Sequence, residues 1–181
     1  MEDPAADLFQ KLPKIFPNID FIFRPHPLLF ITLSKNEYWG EKKVKTWLQK
    51  LQENSNVIYQ DGGDYFATFA SADGIIHDCS SFLAEWLFTE KFGCYMLHDK
   101  ATIDKQFLKN GKEMLNYYRK AFTEEDIIRY VQDIYEEKAD TAREQRIAFV
   151  RSHLKVNYPA ASKFIVSYIK EQLGFSEEGQ Q

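Results

Sequence analysis

The chain has 181 residues, of which 44% are apolar, 28% are charged and 15% are aromatic, with a formal net charge of −4. This length favours one domain with a sizeable core, and the aromatic content argues against disorder. The acidic balance disfavours a protein that binds nucleic acid through its phosphates. Two cysteines are too few for a disulfide scaffold and favour a reducing compartment. No apolar run is long enough to span a membrane.

The first half of the chain alternates short apolar runs with helical spacing. The apolar runs predict four strands, at Ile19–Phe23, Val57–Tyr59, Asp73–His77 and Gly93–Leu97. The helical spacing predicts helices over residues 4–15, Glu41–Glu53, Tyr65–Ser71, with Asp64 as its cap, and Phe82–Thr89. Strands and helices that alternate with short connections predict an α/β fold with a parallel sheet.

The second half of the chain contains no evident strand. Its patterns predict helices over Thr102–Lys120, from Thr123 with a capping box closed by Asp126, over Asp140–His153 and over Pro159–Leu173. We therefore predict one lobe over residues 1–175. It is α/β to about residue 99 and helical from about 100 to 175, and residues 176–181 form a frayed tail.

Polar residues follow the predicted strands. In an open parallel sheet, ligands bind outside the carboxyl ends of the strands, so these positions are the first candidates for a site. They are Arg24 and His26, Gln60 to Asp64, His77 to Ser81, and His98 with Asp99. Three of the four histidines fall in this set.

The run Asp78-Cys79-Ser80-Ser81 is the best single candidate. It follows a strand and opens a helix, whose first N–H groups lack internal partners and favour an anion. Two serine hydroxyls there suit a phosphate. The alternative is that Ser80 merely caps the helix and Ser81 is an N-terminal filler, because serine caps are common.

The run Arg24-Pro25-His26-Pro27 is the second candidate. Two prolines fix the backbone around His26, and an arginine beside a histidine suits a phosphate or diphosphate. The alternative is a structural turn with a solvated histidine. His77 is either a ligand-facing group or a packed strand residue, and the pair His98-Asp99 either orients a nucleotide or ends a strand.

Other chemistries have weak sequence support. No Cys or His pair has zinc-site spacing, and neither a Walker motif nor GxGxxG is present, so no metal and no cofactor is predicted. Cys79 is a poor candidate nucleophile because no dedicated base accompanies it.

The two candidate runs together resemble the CDP-glycerol glycerophosphotransferase family, whose members build teichoic-acid-like and capsular polymers. The family pattern is Lys/Arg-Pro-His-Pro, then Ala-Asp-x-x-Ile-x-Asp-Tyr-Ser-Ser, then a hydrophobic strand ending in Asp. Here these are Arg24 to Pro27, Ala72 to Ser81 and Gly93 to Asp99. The resemblance extends from about residue 19 to 170.

The resemblance implies the donor-binding, Rossmann-like C-terminal lobe of a two-lobed (GT-B) transferase. Arg24, His26, Ser80 and Ser81 would then contact the diphosphate of a CDP-glycerol-like donor. His77, Asp78 and Asp99 would shape or support the site. Localisation would be cytoplasmic, at the inner face of the membrane for the full-length enzyme.

The chain departs from the family in three ways. Cys79 replaces the usual Tyr, Lys91-Phe92-Gly93 replaces the usual Lys-Pro, and the N-terminal lobe that holds the acceptor side is absent. The chain is then a fragment, a truncated gene product or a stand-alone descendant, and whether it is an enzyme by itself stays open. A polymer or lipid-linked acceptor would need the other lobe, and an exposed sheet edge would invite a homodimer.

Two alternatives remain open. One is a lobe of another sugar-nucleotide enzyme, a glycosyltransferase or a UDP-N-acetylglucosamine 2-epimerase-like protein. The other is a non-catalytic interaction module that binds a partner protein or membrane-associated synthesis machinery. Neither alternative involves nucleic acid.

Overall fold

The structure, a computed structural model, describes residues 4–175, so the predicted tail at 176–181 lies outside the described residues. Its strands are β1 (Phe21–Phe23), β2 (Val57–Tyr59), β3 (Ile75–His77), β4 (Gly93–Met96) and β5 (Tyr118–Ala121). Its helices are α1 (Pro4–Ile15), α2 (Leu29–Ser34), α3 (Gly40–Gln52), α4 (Tyr65–Ser71), α5 (Phe82–Leu87), α6 (Lys100–Gln106), α7 (Lys109–Met114), α8 (Glu124–Tyr135), α9 (Arg143–Phe149) and α10 (Ala161–Gln172). Among the described helices, none has the length and apolar content needed to cross a membrane.

Every strand pair is parallel. β1 pairs with β2, with Phe21 opposite Val57. β4 lies between β3 and β5, with Gly93 opposite both Ile75 and Tyr118. The predicted α/β class with a Rossmann-like parallel arrangement is therefore confirmed, although hydrogen bonding divides the strands into a two-stranded and a three-stranded sheet.

The prediction of a continuous helix over Thr102–Lys120 is wrong. That segment forms α6, α7 and a 3₁₀ turn at Leu115–Tyr117, and then enters β5. β5 has polar residues in its middle: Arg119 pairs with Asp133, and Lys120 is half-exposed. A strand with this pattern gives no apolar run, so only its pairing with β4 reveals it.

β4 separates two hydrophobic clusters. Cys94 belongs to one cluster with Leu8 and Tyr130, while Tyr95 belongs to the other with Trp86. Successive strand residues point to opposite faces, so the clusters lie on opposite sides of the three-stranded sheet. Partly buried Phe21 of β1 packs against the Cys94 cluster, which ties the small sheet to the same core.

Two predicted helix caps are confirmed. The Asp64 carboxylate accepts the N–H of Phe66 at 2.8 Å at the start of α4. At the start of α8, the Thr123 hydroxyl accepts the N–H of Asp126 at 3.2 Å, and the Asp126 carboxylate accepts the N–H of Thr123 at 3.1 Å. These caps fix where the loops after β2 and β5 turn back into helices.

Candidate functional site

The candidate residues lie at the carboxyl ends of the strands. A series of ring contacts links the end of β1 to the end of β3. The guanidinium of Arg24 lies 5.7 Å from the ring centroid of Tyr65, the Tyr65 ring lies 5.3 Å from that of Phe82, and the Phe82 ring lies 6.2 Å from that of His77. The two sequence motifs are therefore connected through two intervening aromatic rings, those of Tyr65 and Phe82.

Arg24 is anchored across the end of the small sheet. Its guanidinium donates to the carbonyls of Gly62 at 2.8 Å and Gly63 at 2.6 Å, and to the Gln60 side chain at 3.3 Å. Within residues 4–175 no carboxylate forms an ion pair with it. Arg24 thus holds the loop after β2 while keeping its positive charge uncompensated by an acid.

His26 is exposed in the turn before α2. Its Nδ1 accepts the N–H of Leu28 at 3.2 Å, so the proton of the neutral ring belongs on Nε2. This contact fixes the ring from one side. The Nε2–H is then the hydrogen-bond donor that His26 offers to a ligand.

The loop after β3 is fixed by hydrogen bonds that its backbone carbonyls accept from the rest of the protein. The Tyr95 hydroxyl donates to the Asp78 carbonyl at 2.6 Å, and His77 Nδ1–H donates to the Cys79 carbonyl at 3.1 Å. The Leu83 N–H reaches the Ser80 carbonyl at 3.3 Å. Three successive carbonyls are thereby satisfied by the protein, while the Asp78 carboxylate is exposed.

The two serines do not cap α5. Ser81 occupies the position before the helix with a helical backbone, and its side chain makes no capping hydrogen bond. Its Oγ lies 3.1 Å from Cys79 Sγ, and Ser80 and Ser81 are both exposed. The alternative in which Ser80 is the cap is therefore wrong, and both hydroxyls lie at the surface beside the loop.

His77 is a packed strand residue. It is 6% exposed and lies among the rings of Phe82, Tyr95 and Tyr118. Burial lowers the pKa of His77 to about 4, so the ring is neutral at pH 7. Its Nε2 is buried without a hydrogen-bond partner in the described part of the chain. His77 therefore supports the loop from the interior and does not face a ligand.

Asp99 caps α6. Its carboxylate accepts the N–H of Thr102 at 2.7 Å and the Thr102 hydroxyl at 2.9 Å. These hydrogen bonds hold the pKa of Asp99 below its usual range. His98 Nδ1 lies 3.3 Å from the same carboxylate. The described contacts of Asp99 are thus those of a helix cap, which is the strand-ending alternative of the sequence analysis.

Two tyrosines near the site were not singled out by the sequence. Tyr95 holds the Asp78 carbonyl, but within the apolar run of β4 it resembles any core residue. Tyr65 lies beside Glu85, and the Glu85 carboxylate raises the pKa of Tyr65. Glu85 also has one buried carboxylate oxygen without a partner among the described residues. The sequence signal that could have identified Glu85 is that it is a charged residue within the otherwise apolar α5.

The cysteines and potential metal ligands are dispersed. Burial raises the pKa of Cys94 to about 12, which makes its thiol inert, and Cys79 is half-buried beside Ser81. Within residues 4–175, no three His, Cys, Asp or Glu side chains are close enough together to hold a metal ion.

No family model, no curated protein and no solved structure matches this chain.

Proposed function

We propose that this chain is a donor-nucleotide-binding lobe of a glycerophosphotransferase, and that it binds a CDP-glycerol-like nucleotide diphosphate. The observation that carries the proposal is the loop at residues 78–81. Its carbonyls accept hydrogen bonds from the protein, and the loop exposes the hydroxyls of Ser80 and Ser81 together with the Asp78 carboxylate. They follow β3 of the three-stranded sheet, and Arg24 follows β1 of the two-stranded sheet.

The proposed donors match the charge of a diphosphate. Arg24 supplies a cation, His26 supplies an Nε2–H, and the two serines supply hydroxyl donors, all at the ends of parallel strands. Hydrogen bonds from charged or preorganised donors to phosphate oxygens are stronger than those between neutral groups. These four donors favour an anion over a neutral sugar, whereas the exposed Asp78 carboxylate beside the serines opposes one.

The proposed chemistry is phosphoryl-type transfer. An acceptor hydroxyl loses its proton to solvent water and forms a bond to the phosphorus next to glycerol. The bond from that phosphorus to the bridging oxygen breaks, and CMP leaves with the electron pair. The protein contributes positioning and charge stabilisation. This chain supplies the donor side, and the acceptor side is expected from a second lobe, as in the family that the sequence resembles.

A second candidate function is a non-catalytic interaction module. The observation that favours it is the apolar surface of α10, in which no residue is buried. A lobe kept for binding a partner would need such a surface and would not need a working nucleotide site.

Calorimetric titration of the 181-residue chain separates these functions. The ligands are CDP-glycerol, CDP, CMP and UDP-N-acetylglucosamine. We expect cytidine nucleotides to bind with millimolar or tighter affinity, which corresponds to about 4 kcal/mol or more. Tighter binding of the UDP-sugar would favour the glycosyltransferase or epimerase-like alternative. A folded chain that binds none of the four would favour the interaction module.

Two variants test the assigned residues. Removing both hydroxyls in Ser80→Ala/Ser81→Ala, or the donor in His26→Ala, should weaken CDP-glycerol binding at least about tenfold, or about 1.4 kcal/mol. Ser55→Ala, an exposed serine before β2, is the matched control and should bind like the original chain. Unchanged affinity in both test variants would remove the proposal. Arg24→Ala is a poorer test because it also releases the loop at Gly62 and Gly63.

A further inference from the structure

β1 and β3 are the neighbouring edges of the two sheets, and they run in the same direction. At their amino ends, Asn18, just before β1, donates to the hydroxyl of Tyr135 at 3.4 Å. Tyr135 ends α8, the helix that runs back from the carboxyl end of β5. At their carboxyl ends, the rings of Tyr65 and Phe82 connect Arg24, after β1, to the end of β3. β1 and β3 are therefore parallel strands on either side of one boundary.

β1 and β3 nevertheless do not pair. Phe21 of β1 and Ile76 of β3 pack against the same cluster, which contains Leu8 and Cys94, so β1 is the strand of the small sheet that lies nearer β3. Among the described strands, no hydrogen bond joins these two, and they do not run side by side at the spacing of about 4.8 Å that paired strands have. The boundary between the sheets is a gap in an otherwise parallel arrangement.

The backbone of Ile22 faces this gap. The Phe21 N–H donates to the Asn56 carbonyl at 2.8 Å. The Phe23 carbonyl accepts the Gln60 N–H at 3.0 Å. Phe21 and Phe23 therefore turn their N–H and C=O groups toward β2. Successive residues of a parallel strand hydrogen-bond to opposite sides, so the N–H and C=O of Ile22 point away from β2 and into the gap.

The backbone of Ile76 faces the gap from the other side. The Tyr130 hydroxyl accepts the Ile75 N–H at 3.1 Å and donates to the Phe92 carbonyl, just before β4, at 2.8 Å. Ile75 therefore faces β4, and by the same alternation Ile76 faces away from it. Backbone N–H and C=O groups that are shielded from water and left unpaired are costly. The two edges therefore need a partner that has backbone groups of its own.

The residues beside the gap are less buried than their sequence predicts. Ile19–Phe23 is a nearly continuous apolar run, which is typical of a parallel strand buried on both faces. All three residues of β1 are only half-buried, and so are Ile75 and Ile76 of β3. β4, which has a strand on each side, has three consecutive buried residues. A strand in the gap would cover the apolar surface that β1 and β3 leave open.

We propose that the gap between β1 and β3 binds one β-strand of another polypeptide, extended, apolar and parallel to both. The inserted strand hydrogen-bonds to Ile22 on one side and to Ile76 on the other, and it joins the two sheets into one sheet of six strands. The resulting order, with the inserted strand between β1 and β3, is the usual order of a doubly wound sheet. This proposal does not depend on nucleotide binding.

The chemistry of the gap selects a peptide over the other occupants. A lipid surface has no row of N–H and C=O groups to match the two edges. A second copy of the chain has no spare strand, because its predicted apolar runs already form β1 to β4. Residues 1–3 and 176–181 read Met-Glu-Asp and Ser-Glu-Glu-Gly-Gln-Gln and contain no apolar run. The cluster with Leu8 lies on one face of the sheet and the cluster with Phe82 on the other, so the inserted strand is apolar on both faces.

Amide hydrogen exchange of the 181-residue chain, measured by nuclear magnetic resonance, tests whether the two edges are open. We expect the amides of Ile22 and Ile76 to exchange at least about tenfold faster than those of Phe23 and His77, which face β2 and β4. Equal protection of all four amides would mean that β1 and β3 pair directly, and it would overturn the proposal. Protection of Ile22 and Ile76 together with a dimer mass in light scattering would overturn it in favour of a second copy.

A synthetic peptide tests the occupant. The probe is Lys-Gly-Val-Ile-Val-Ile-Val-Gly-Lys, capped at both ends, and its matched control carries N-methyl groups on the three valines, which removes the donors along one edge. We expect the probe to bind with a Kd of about 100 μM or tighter and to slow the exchange of the Ile22 and Ile76 amides. The control should bind at least about tenfold more weakly, because backbone hydrogen bonds supply the affinity of an added strand. A probe that does not bind, or binds no better than its control, would overturn the proposal.

A pair of proline variants locates the binding site of the probe. Ile22→Pro removes the amide that faces the gap and should weaken binding at least about tenfold, since proline keeps a strand but removes its donor. Lys120→Pro is the matched control: the Ala121 carbonyl accepts the Leu97 N–H at 2.8 Å, so Ala121 faces β4 and the Lys120 amide lies on the outer edge of β5. It should bind the probe like the original chain. Equal affinities in the two variants would overturn the proposal, and the N-methylated peptide keeps the test independent of how either variant folds.

Discussion

The three-stranded sheet and the two-stranded sheet of this protein are stabilised in different ways. β4 of the three-stranded sheet has three consecutive buried residues, whereas none of the residues of β1 or β2 is fully buried. Beside β4, the nearly inaccessible Arg146 pairs with Asp140 and donates to the Glu90 carbonyl at 3.1 Å. The small sheet has no comparable burial among the described residues.

The small sheet depends on polar side chains that satisfy backbone groups. The Asn56 amide donates to the carbonyls of Pro13, Phe16 and Ile19 at 2.9–3.1 Å, which joins the last turn of α1 and the connection after it to the start of β2. Gln10 donates to the Trp47 carbonyl at 2.7 Å and ties α1 to α3. A hydrogen bond of this kind contributes less free energy than the burial of a large side chain. Substitutions in the two-stranded sheet should therefore destabilise the protein less than substitutions in the three-stranded sheet.

The largest expected effect is on the ion pair between buried Arg146 and half-buried Asp140 on the three-stranded side. Arg146→Ala removes the partner of Asp140 and should lower the free energy of unfolding by about 3–5 kcal/mol. Urea denaturation measures it. Replacing both partners in Arg146→Leu/Asp140→Leu should recover part of the loss. The exposed pair partner Arg129→Ala is the control, with a cost below about 1 kcal/mol; equal losses would contradict the role of burial.

The next effect is a pH dependence from His77. Its pKa is about 4 in the folded chain and near 6.5 when unfolded, so the unfolded state binds more protons between these values. Stability should therefore fall as pH drops from about 6.5 to 4 and level off below, with a total loss of about 3 kcal/mol. Unfolding of His77→Phe over the same pH range should lack this component. An identical slope in both proteins would refute it.

A smaller effect is expected in the two-stranded side. Asn56→Ala leaves three carbonyls without their shared donor and should cost about 2 kcal/mol in thermal or urea unfolding. Neighbouring Ser55→Ala is the control and should be neutral. A loss as large as that of Arg146→Ala would remove the distinction between the sheets.

The smallest effect is at an exposed cap on the three-stranded side. Thr123→Ala removes one half of the capping box of α8 and should cost about 1 kcal/mol in urea unfolding. Thr123→Ser keeps the hydroxyl and should lose much less. A larger loss of stability in Thr123→Ala than in Asn56→Ala would contradict the role of burial, because Thr123 is exposed and Asn56 is half-buried.

The sequence predicted the elements whose signals are local. Four strands appeared as apolar runs, and the caps Asp64 and Thr123 followed from their side-chain chemistry beside a helical pattern. β5 was missed because Arg119 and Lys120 interrupt its apolar pattern, and an edge strand of that kind is defined by pairing with β4. The division into two sheets is likewise a matter of hydrogen bonding between distant segments.

In the candidate site, too, the features set by neighbouring residues were predicted, and the contacts between segments far apart in sequence were not. The positions of Arg24, His26, Ser80 and Ser81 after strands followed from the apolar runs. The anchoring of Arg24 on Gly62 and Gly63 did not, because it joins segments far apart in sequence. The inward bond from Tyr95 to the Asp78 carbonyl was equally invisible, since a tyrosine in an apolar strand looks like core.

What the sequence alone determined is the α/β class, four of the strands, the helix caps and the polar residues at the strand ends, because each depends on neighbours within a few residues. Only the tertiary structure decided that His77 is buried and neutral, that Asp99 serves α6, and that α10 leaves its apolar face uncovered. Burial, a lowered pKa and an unpartnered surface are properties of what packs against a residue, and that packing comes from segments remote in the chain.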